Sequence, residues 1–408
     1  MLLSRRQILR RRRMAVFGAL GVVLGTVFYL PMTLLAPLGS VPATISAADS
    51  APLPAAALEW PALGGSAVGA VGYDGMLGTG GSDKPAPIAS ITKIITALVV
   101  LDAKPLALAD TGPDVAFTAK DVAIRAAYQS VNGKTEPVSA GMVLSQRQVM
   151  DVMLVESANN YAESLVTWAF GSVDEFLPVA NDWLATNGLT STSISDPTGM
   201  SPRNVSTASD LVALGKLALA DPVVNAIVGT PVEQIPVVGE IKNSNNLLGV
   251  DGIRGIKTGT LDEAGACLLF AADYPVGGQT VTIVGAVLGG TDHTALNATV
   301  RTLLADVEDG FQEVTLTTTG ESFGSYSTAW GESSRLVATE DSSVVVWSNT
   351  PIDATVTAHD IGVAEKGADV GQVSFTVGDE VITVPLELAS GIEDPGPWWR
   401  LTNPGALF

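Results

Sequence analysis

A chain of 408 residues with 47% hydrophobic and 16% charged residues belongs to the packed globular class and is long enough for two or three domains. One cysteine excludes an intramolecular disulfide, and one cysteine with two histidines leaves too few soft ligands for a structural zinc site, so no metal or cofactor is expected. Six of the 22 basic residues (Arg5, Arg6, Arg10, Arg11, Arg12 and Arg13) precede residue 14, leaving 16 basic against 42 acidic groups; such a body repels phosphate backbones, so no nucleic-acid partner is expected.

The basic block, residues 1–13, leads into MAVFGALGVVLGTVFYLPMTLLAPL, which holds no charge from Met14 to Leu38. That run is longer than the apolar core of an ordinary signal peptide and can cross a hydrocarbon layer of about 30 Å. It predicts a membrane anchor over residues 14–38, with the arginines cytoplasmic and the remaining chain extracytoplasmic. Two other readings stay open: Ser4-Arg5-Arg6-Gln7-Ile8-Leu9-Arg10 is similar to a twin-arginine export signal, and Ala47 or Ala48 suits a cleavage site. Residues 39–61, rich in Pro, Ala and Ser (SAADSAPLPAAALEWP), read as a linker.

Residues 62–312 form the main domain, in which apolar helical segments alternate with short strand-like runs. LVALGKLALA (211–220) is helical in character, whereas TVTIVGAVLG (280–289) is β-branched, bounded by glycine, and suits a central strand. At residue 313 the character changes. EVTLTTTG, SSVVVW and GQVSFTVGDEVITVPLEL are short, Val/Thr-rich runs, and Val373, Phe375 and Val377 alternate with Ser374 and Thr376. Residues 313–408 therefore predict a separate, small all-β domain.

Chemistry enters at PIASITK, residues 87–93. The prolines favour an extended approach and the following IITALVVL a helix, so Ser90 and Lys93, three apart, lie on one helical face within reach of each other. A serine in a first helical turn sits among unpaired backbone N–H groups that favour developing negative charge. Lys93 can take the Ser90 proton if its amine is neutral, which burial and a neighbouring cation would bring about. Alone, the pair is a weak signal, because a helix start with a solvated lysine has the same spacing. Two further triplets follow in order: Ser157-Ala158-Asn159 in a helical pattern and Lys257-Thr258-Gly259 at the start of a β-like run.

SxxK, SxN and KTG in this order are the signature of serine enzymes that recognise penicillin. The stretches IASITKIITALVVLD, GMVLSQRQVMDVMLVESANN, SDPTGMSPRNVSTASDLVALGKLAL, NSNNLLG and IKTGTLDEAGACLL resemble the low-molecular-weight penicillin-binding proteins, specifically serine D-alanyl-D-alanine carboxypeptidases, over roughly residues 85–290. The resemblance implies an α/β (α+β) transpeptidase-like domain, with a central antiparallel sheet, flanking helices and an all-helical lobe, followed by a β domain. It implies a peptidoglycan stem peptide ending in D-Ala-D-Ala as substrate and β-lactams as covalent inhibitors. It also implies roles: Ser90 as nucleophile, Lys93 as base, Ser157 as proton relay, and Asn159 as holder of Lys93 or the substrate amide. Lys257 would attract the terminal carboxylate with Thr258 beside it, Gly259 would let the substrate backbone lie close, and the N–H groups of Ser90 and Thr260 would form the oxyanion hole.

Other residues read structurally. Cys267, in ACLLF, suits a small core position. His293 and His359 lie in Gly/Thr/Asp-rich contexts that suit surface or capping positions, and Asp196 in SDPTGM suits a turn. Trp398-Trp399 suit a core, a partner or a membrane surface. Asn160 and Leu261 depart from the family pattern, which often has an acid and a threonine there, and the ending WWRLTNPGALF is too short and too rich in Pro and Gly for the C-terminal amphipathic helix of many members. Two alternatives remain at this stage: a β-lactamase of the same superfamily, whose class A members add a glutamate in an E-x-x-L-N segment not found between Ser157 and Lys257, or a non-catalytic penicillin-binding scaffold.

Overall fold

The uncharged run after the arginines folds, in this computed structural model, into helix α1, Arg5–Leu34, whose apolar surface is exposed along nearly its whole length. At about 1.5 Å per residue its 30 residues reach roughly 45 Å, and its composition is apolar enough to cross a membrane. The structure describes residues 5–46 and 53–408; Ser4 of the export motif and the cleavage candidates Ala47 and Ala48 lie outside the described residues. Residues 55–312 form one compact unit, and residues 313–408 with those up to 54 form another.

The 55–312 unit is built on an antiparallel sheet of five strands, in the order Ile253–Leu261, Gly265–Val276, Gln279–Gly290, Gly65–Ala70, Gly78–Gly81. The β-branched run at 280–289 occupies the middle strand, where both faces are covered and alternation gives way to continuous apolar character. Helix α2, Thr92–Ala103, is buried from Thr92 to Leu101, as its all-round apolar sequence requires. Around it lie α3 (Ala119–Ser130), α4 (Gln146–Val155), α5 (Asn159–Phe170) and α6 (Val173–Thr186). The starts of α3 and α4 are fixed by capping boxes, Thr118 with Asp121 and Ser145 with Gln148, which satisfy backbone donors the helices leave unpaired. Helix α7, Ala208–Ala220, packs on the strands Gly65–Ala70 and Gln279–Gly290, followed by the short α8, Pro222–Val228, and by α9, His293–Asp309.

The second unit carries a six-stranded sheet in the order Thr44–Ile45, Ser322–Ser327, Ser333–Ala338, Glu380–Leu388, Asp369–Val377, Ile352–Ala358. Val373, Phe375 and Val377 are buried while Ser374 and Thr376 between them are not, the period of a half-buried strand. Residues 39–61 carry more structure than a linker. Thr44 and Ile45 pair with Ser325 and Gly324, Val41 bridges Ile361, and in the other unit Trp60 lies over Gly78 and Gly80. No periodicity foretells this, because the hydrogen-bonding ladder for so short an edge is supplied by the distant 322–327 strand. The chain closes with helix α10, Gly396–Thr402.

Candidate active site

Ser90 lies in a single 3₁₀ turn, Ala89–Ile91, that opens directly into α2. The turn is built under constraint. Ala89 holds a left-handed φ of +46°, a conformation that non-glycine residues adopt at a cost of about 1–2 kcal/mol. Gly199, at φ +88°, presses against it so closely that a Cβ there would stand 1.9 Å from the Ala89 carbonyl oxygen. The turn supplying that glycine is held by Asp196, whose carboxylate accepts from the N–H groups of Thr198, Gly199 and Ser201 and from the Thr198 hydroxyl. Asp196 is thus committed to four bonds within its own turn.

Lys93, one helical turn beyond Ser90, is fully buried. Its Nζ stands 3.0 Å from Ser90 Oγ, 2.6 Å from Asn159 Oδ1 and 2.7 Å from the Thr198 carbonyl oxygen. Burial holds the Lys93 amine well below its ordinary range; Lys257 and Lys134 push in the same direction, and Asp196 opposes them. The geometry suits a neutral amine. Asn159 Oδ1 and the Thr198 carbonyl can only accept, so they take the two N–H bonds and leave the lone pair facing Ser90.

Ser157 is buried at the corner between α4 and α5, with a left-handed φ of +67°. Asn159, Asn160 and Tyr161 clasp one loop: Asn159 N–H donates to the Lys134 carbonyl, the Asn160 side chain both accepts from Glu136 N–H and donates to the Glu136 carbonyl, and the Tyr161 hydroxyl donates to the Pro137 carbonyl. The Asn160 departure is therefore structural. Its amide can give and receive in one residue, which a carboxylate cannot.

Lys257, Thr258 and Gly259 stand on the edge strand Ile253–Leu261, paired with Leu269, Leu268 and Cys267. Lys257 Nζ lies 3.4 Å from Ser244 Oγ, and Ser244 and Thr258 share a 2.6 Å hydroxyl contact. The Lys257 amine is pushed down to about 7 by burial and by Lys134, with Glu156 opposing. Gly259 has a packing role that sequence reasoning did not supply: a Cβ there would meet the Ile88 carbonyl oxygen at 2.8 Å, so its smallness brings the strand against the Ser90 turn. Thr260 Oγ1 contacts His293 Nε2 at 2.7 Å, whereas Leu261 turns toward the core.

His293 corrects an expectation. It is the first residue of α9, directly after the capping Asp292, and it is half-buried beside Thr260 rather than a surface group; burial and then Lys257 lower its pKa. It does not approach Ser90 as a triad base would. The His359 ring contacts the Asp369 carbonyl, at 3.2 Å, on the other unit's exposed surface, and its backbone carbonyl accepts from the Tyr326 hydroxyl. Cys267 is a buried core residue whose thiol is pushed up to about 11 by that burial.

Three further residues, Asn204, Ser244 and Lys134, escaped the sequence reading, as did the Thr260 contact of His293. Asn204, fully buried, donates to Thr92 Oγ1 and to the Asp196 carbonyl and accepts from Ser195 and Asp196 N–H, locking the Asp196 turn to α2. Ser244 joins Thr258 to Lys257, Lys134 pairs with Glu156 at 2.8 Å near both buried lysines, and His293 joins Thr260. A polar residue in an otherwise packed stretch, as in SPRNVST and NSNNLLG, was the available signal.

A family profile described as D-alanyl-D-alanine carboxypeptidase, peptidase S11, matches residues 74–290, more than half of the chain. The chain belongs to the peptidase S11 family. It is 31% identical over 202 residues to a D-alanyl-D-alanine endopeptidase of Pseudomonas aeruginosa, covering 46% of this chain and 59% of that protein. It is 26% identical over 346 residues to the D-alanyl-D-alanine carboxypeptidase DacC of Escherichia coli, covering 80% of this chain and 83% of that one. The chain thus spans about three fifths of the length of the endopeptidase it matches. Among solved structures, penicillin-binding protein 5 of Haemophilus influenzae superimposes with a TM-score of 0.58 at 18% identity, over 82% of this chain and 99% of that one, so the two share a fold.

Proposed function

We propose that this S11 member is a serine D,D-carboxypeptidase that removes the terminal D-alanine from peptidoglycan stem peptides. The observation that carries this reading is the buried Lys93 amine, held by Asn159 Oδ1 and the Thr198 carbonyl with Ser90 Oγ at 3.0 Å. The Ser90 hydroxyl gives its proton to the Lys93 lone pair as Oγ bonds to the penultimate D-alanine carbonyl carbon. The resulting oxyanion is received by the N–H groups of Ser90 and Thr260. On collapse the peptide C–N bond breaks, the leaving amine takes a proton by way of Ser157, and D-alanine departs. Water, deprotonated by Lys93, then cleaves the acyl-enzyme ester and regenerates Ser90.

Lys257 supports removal of the last residue rather than cutting within a chain, because a cation aligned on the edge strand favours a substrate whose free carboxylate lies one residue beyond the scissile bond. The relatives bear both names, carboxypeptidase and endopeptidase, so the second reading is cleavage of D-alanyl cross-links by the same acyl-enzyme. The apolar, exposed α1 supports a membrane-bound enzyme with residues 55–312 on the extracytoplasmic side, where the arginine-rich end would stay cytoplasmic. Fluorescent penicillin followed by assays of free D-alanine and of cross-linked dimer tests the whole reading. Covalent label on Ser90 with D-alanine released from a pentapeptide is expected. Dimer cleavage without D-alanine release would move the assignment to endopeptidase, and labelling with neither activity would leave a scaffold.

A further inference from the structure

Helix α1 does not end free: α10 is fastened to its last turns. The Tyr29 hydroxyl donates to the Leu401 carbonyl at 2.7 Å, and the Arg400 guanidinium donates to the Ala36 carbonyl. Thr33 in the last turn and Ala36 just beyond it are buried and Leu34 is partly covered, although residues 5–32 are exposed. Arg13 is the last charge before the apolar run, and the 14–34 segment then rises about 30 Å, the thickness of a hydrocarbon layer. If Arg13 marks one boundary of the bilayer, the helix turns that hold α10 mark the other.

What α10 presents at that level is aromatic. Trp399 is packed edge-on to Trp330, with ring centroids 5.8 Å apart, and the Trp330 indole N–H is held by the Glu393 carbonyl. Trp398, the residue before it in the same helix, is 79% exposed, and Phe408 is 72% exposed. A bare indole costs apolar hydration in water, while indoles collect at membrane interfaces, where an apolar ring meets lipid and its N–H meets water. The charges beside it are already satisfied, since Arg400 pairs with Asp394 at 2.6 Å.

We propose that residues 396–408 form a collar at the outer membrane–water interface, with Trp398 and Phe408 seated among the lipid headgroups beside the exit of α1. The proposal rests on α1 crossing the bilayer, but not on the enzymatic reading. A phospholipid surface is favoured over a protein partner because α10 is fastened to the last turns of the exposed apolar helix that would itself cross the bilayer. The consequence is a second point of contact: a single span leaves the body free to swivel, whereas a span with a collar fixes the tilt of the 313–408 unit to which both are joined.

The test uses the full chain in phosphatidylcholine–phosphatidylglycerol vesicles containing lipid brominated on the acyl chain near the headgroup. None of the seven tryptophans lies within α1, so bromolipid quenching of indole emission reports on other elements. Quenching is expected in the native chain and should fall by more than half in Trp398→Phe, an exposed substitution whose folding is checked by circular dichroism. Adding Phe408→Trp to Trp398→Phe should restore it. Equal quenching in native chain and Trp398→Phe, or no quenching in chain that resists carbonate extraction, would overturn the collar. Extraction of the protein by carbonate would overturn the membrane span together with it, whatever the D-alanine assay shows.

Discussion

The cleft of the 55–312 unit and the sheet of the 313–408 unit bury polar groups in opposite ways. Among the described residues, the buried polar side chains of residues 313–408 are the hydroxyls of Thr317, Thr328 and Ser334, the first two bonded to backbone carbonyls and Ser334 to a carbonyl and a neighbouring N–H. The cleft unit buries two lysines, Lys93 and Lys257, and places Ala89 and Ser157 at positive φ. Burying a cation and bending an alanine into the left-handed region both oppose folding, so the surrounding network must over-determine them. The β unit buries no charged side chain among its described residues and holds one non-glycine residue, Ser348 in a turn, at positive φ. What sets the 55–312 unit apart is its pair of buried lysines, Lys93 and Lys257, with two backbone positions of positive φ, Ala89 and Ser157, in the segments that carry Ser90 and Asn159.

The sharpest break would come at Ser90. Ser90→Ala should abolish covalent labelling by penicillin, and Lys93→Ala should lower the acylation rate by roughly 10³-fold or more, because nucleophile and base act as a unit. Labelling at native rates in either variant would put the chemistry elsewhere. Gly199→Ala comes next: with a Cβ driven onto the Ala89 carbonyl at a φ of +88°, it should lose about 3 kcal/mol or more of stability and most acylation, read by thermal melting and labelling together.

Lys257→Gln should raise KM for a D-Ala-D-Ala peptide by roughly 10–100-fold, the worth of a charge-assisted hydrogen bond. The pH profile carries a sign for each lysine. Lys257 loses its proton near pH 7, so KM should climb as pH rises through that value; Lys93 must be neutral to act, so acylation should fall as pH drops far enough to protonate it. A flat KM from pH 6 to 9 would remove Lys257 from carboxylate binding. His293→Asn should change KM only a few-fold, since it touches the site through Thr260 alone. The smallest effect on activity sharpens the other side of the comparison. Leu386→Ala, in the core of the β unit, should cost about 2–5 kcal/mol of stability yet leave the penicillin acylation rate unchanged.

Much of this was legible in the chain. The 280–289 run announced a middle strand through continuous β-branched character, and Val373 to Val377 announced a half-buried one through alternation. Ser90 and Lys93 are legible because a helix fixes what three residues of separation mean. The contacts that complete the cleft are not local. Asn204 reaches Thr92 across 112 positions and Thr260 reaches His293 across 33, and no period relates them. The role of Gly259 was invisible for a related reason: a motif names the residue, but the Ile88 carbonyl that forbids a side chain there belongs to another segment. The pairing of residues 41–46 with the β sheet was hidden in the same way.

Three successive residues, Asn159, Asn160 and Tyr161, grip the loop at 134–137, and the first of them also steadies the Lys93 amine. The loop and the Lys93 amine are therefore coupled at one helix end. On the proposed reading, a ligand that displaced this loop would also disturb the base, at the expense of turnover. On that reading, a change that widens access while keeping full speed should reshape the loop itself and leave its clasp in place.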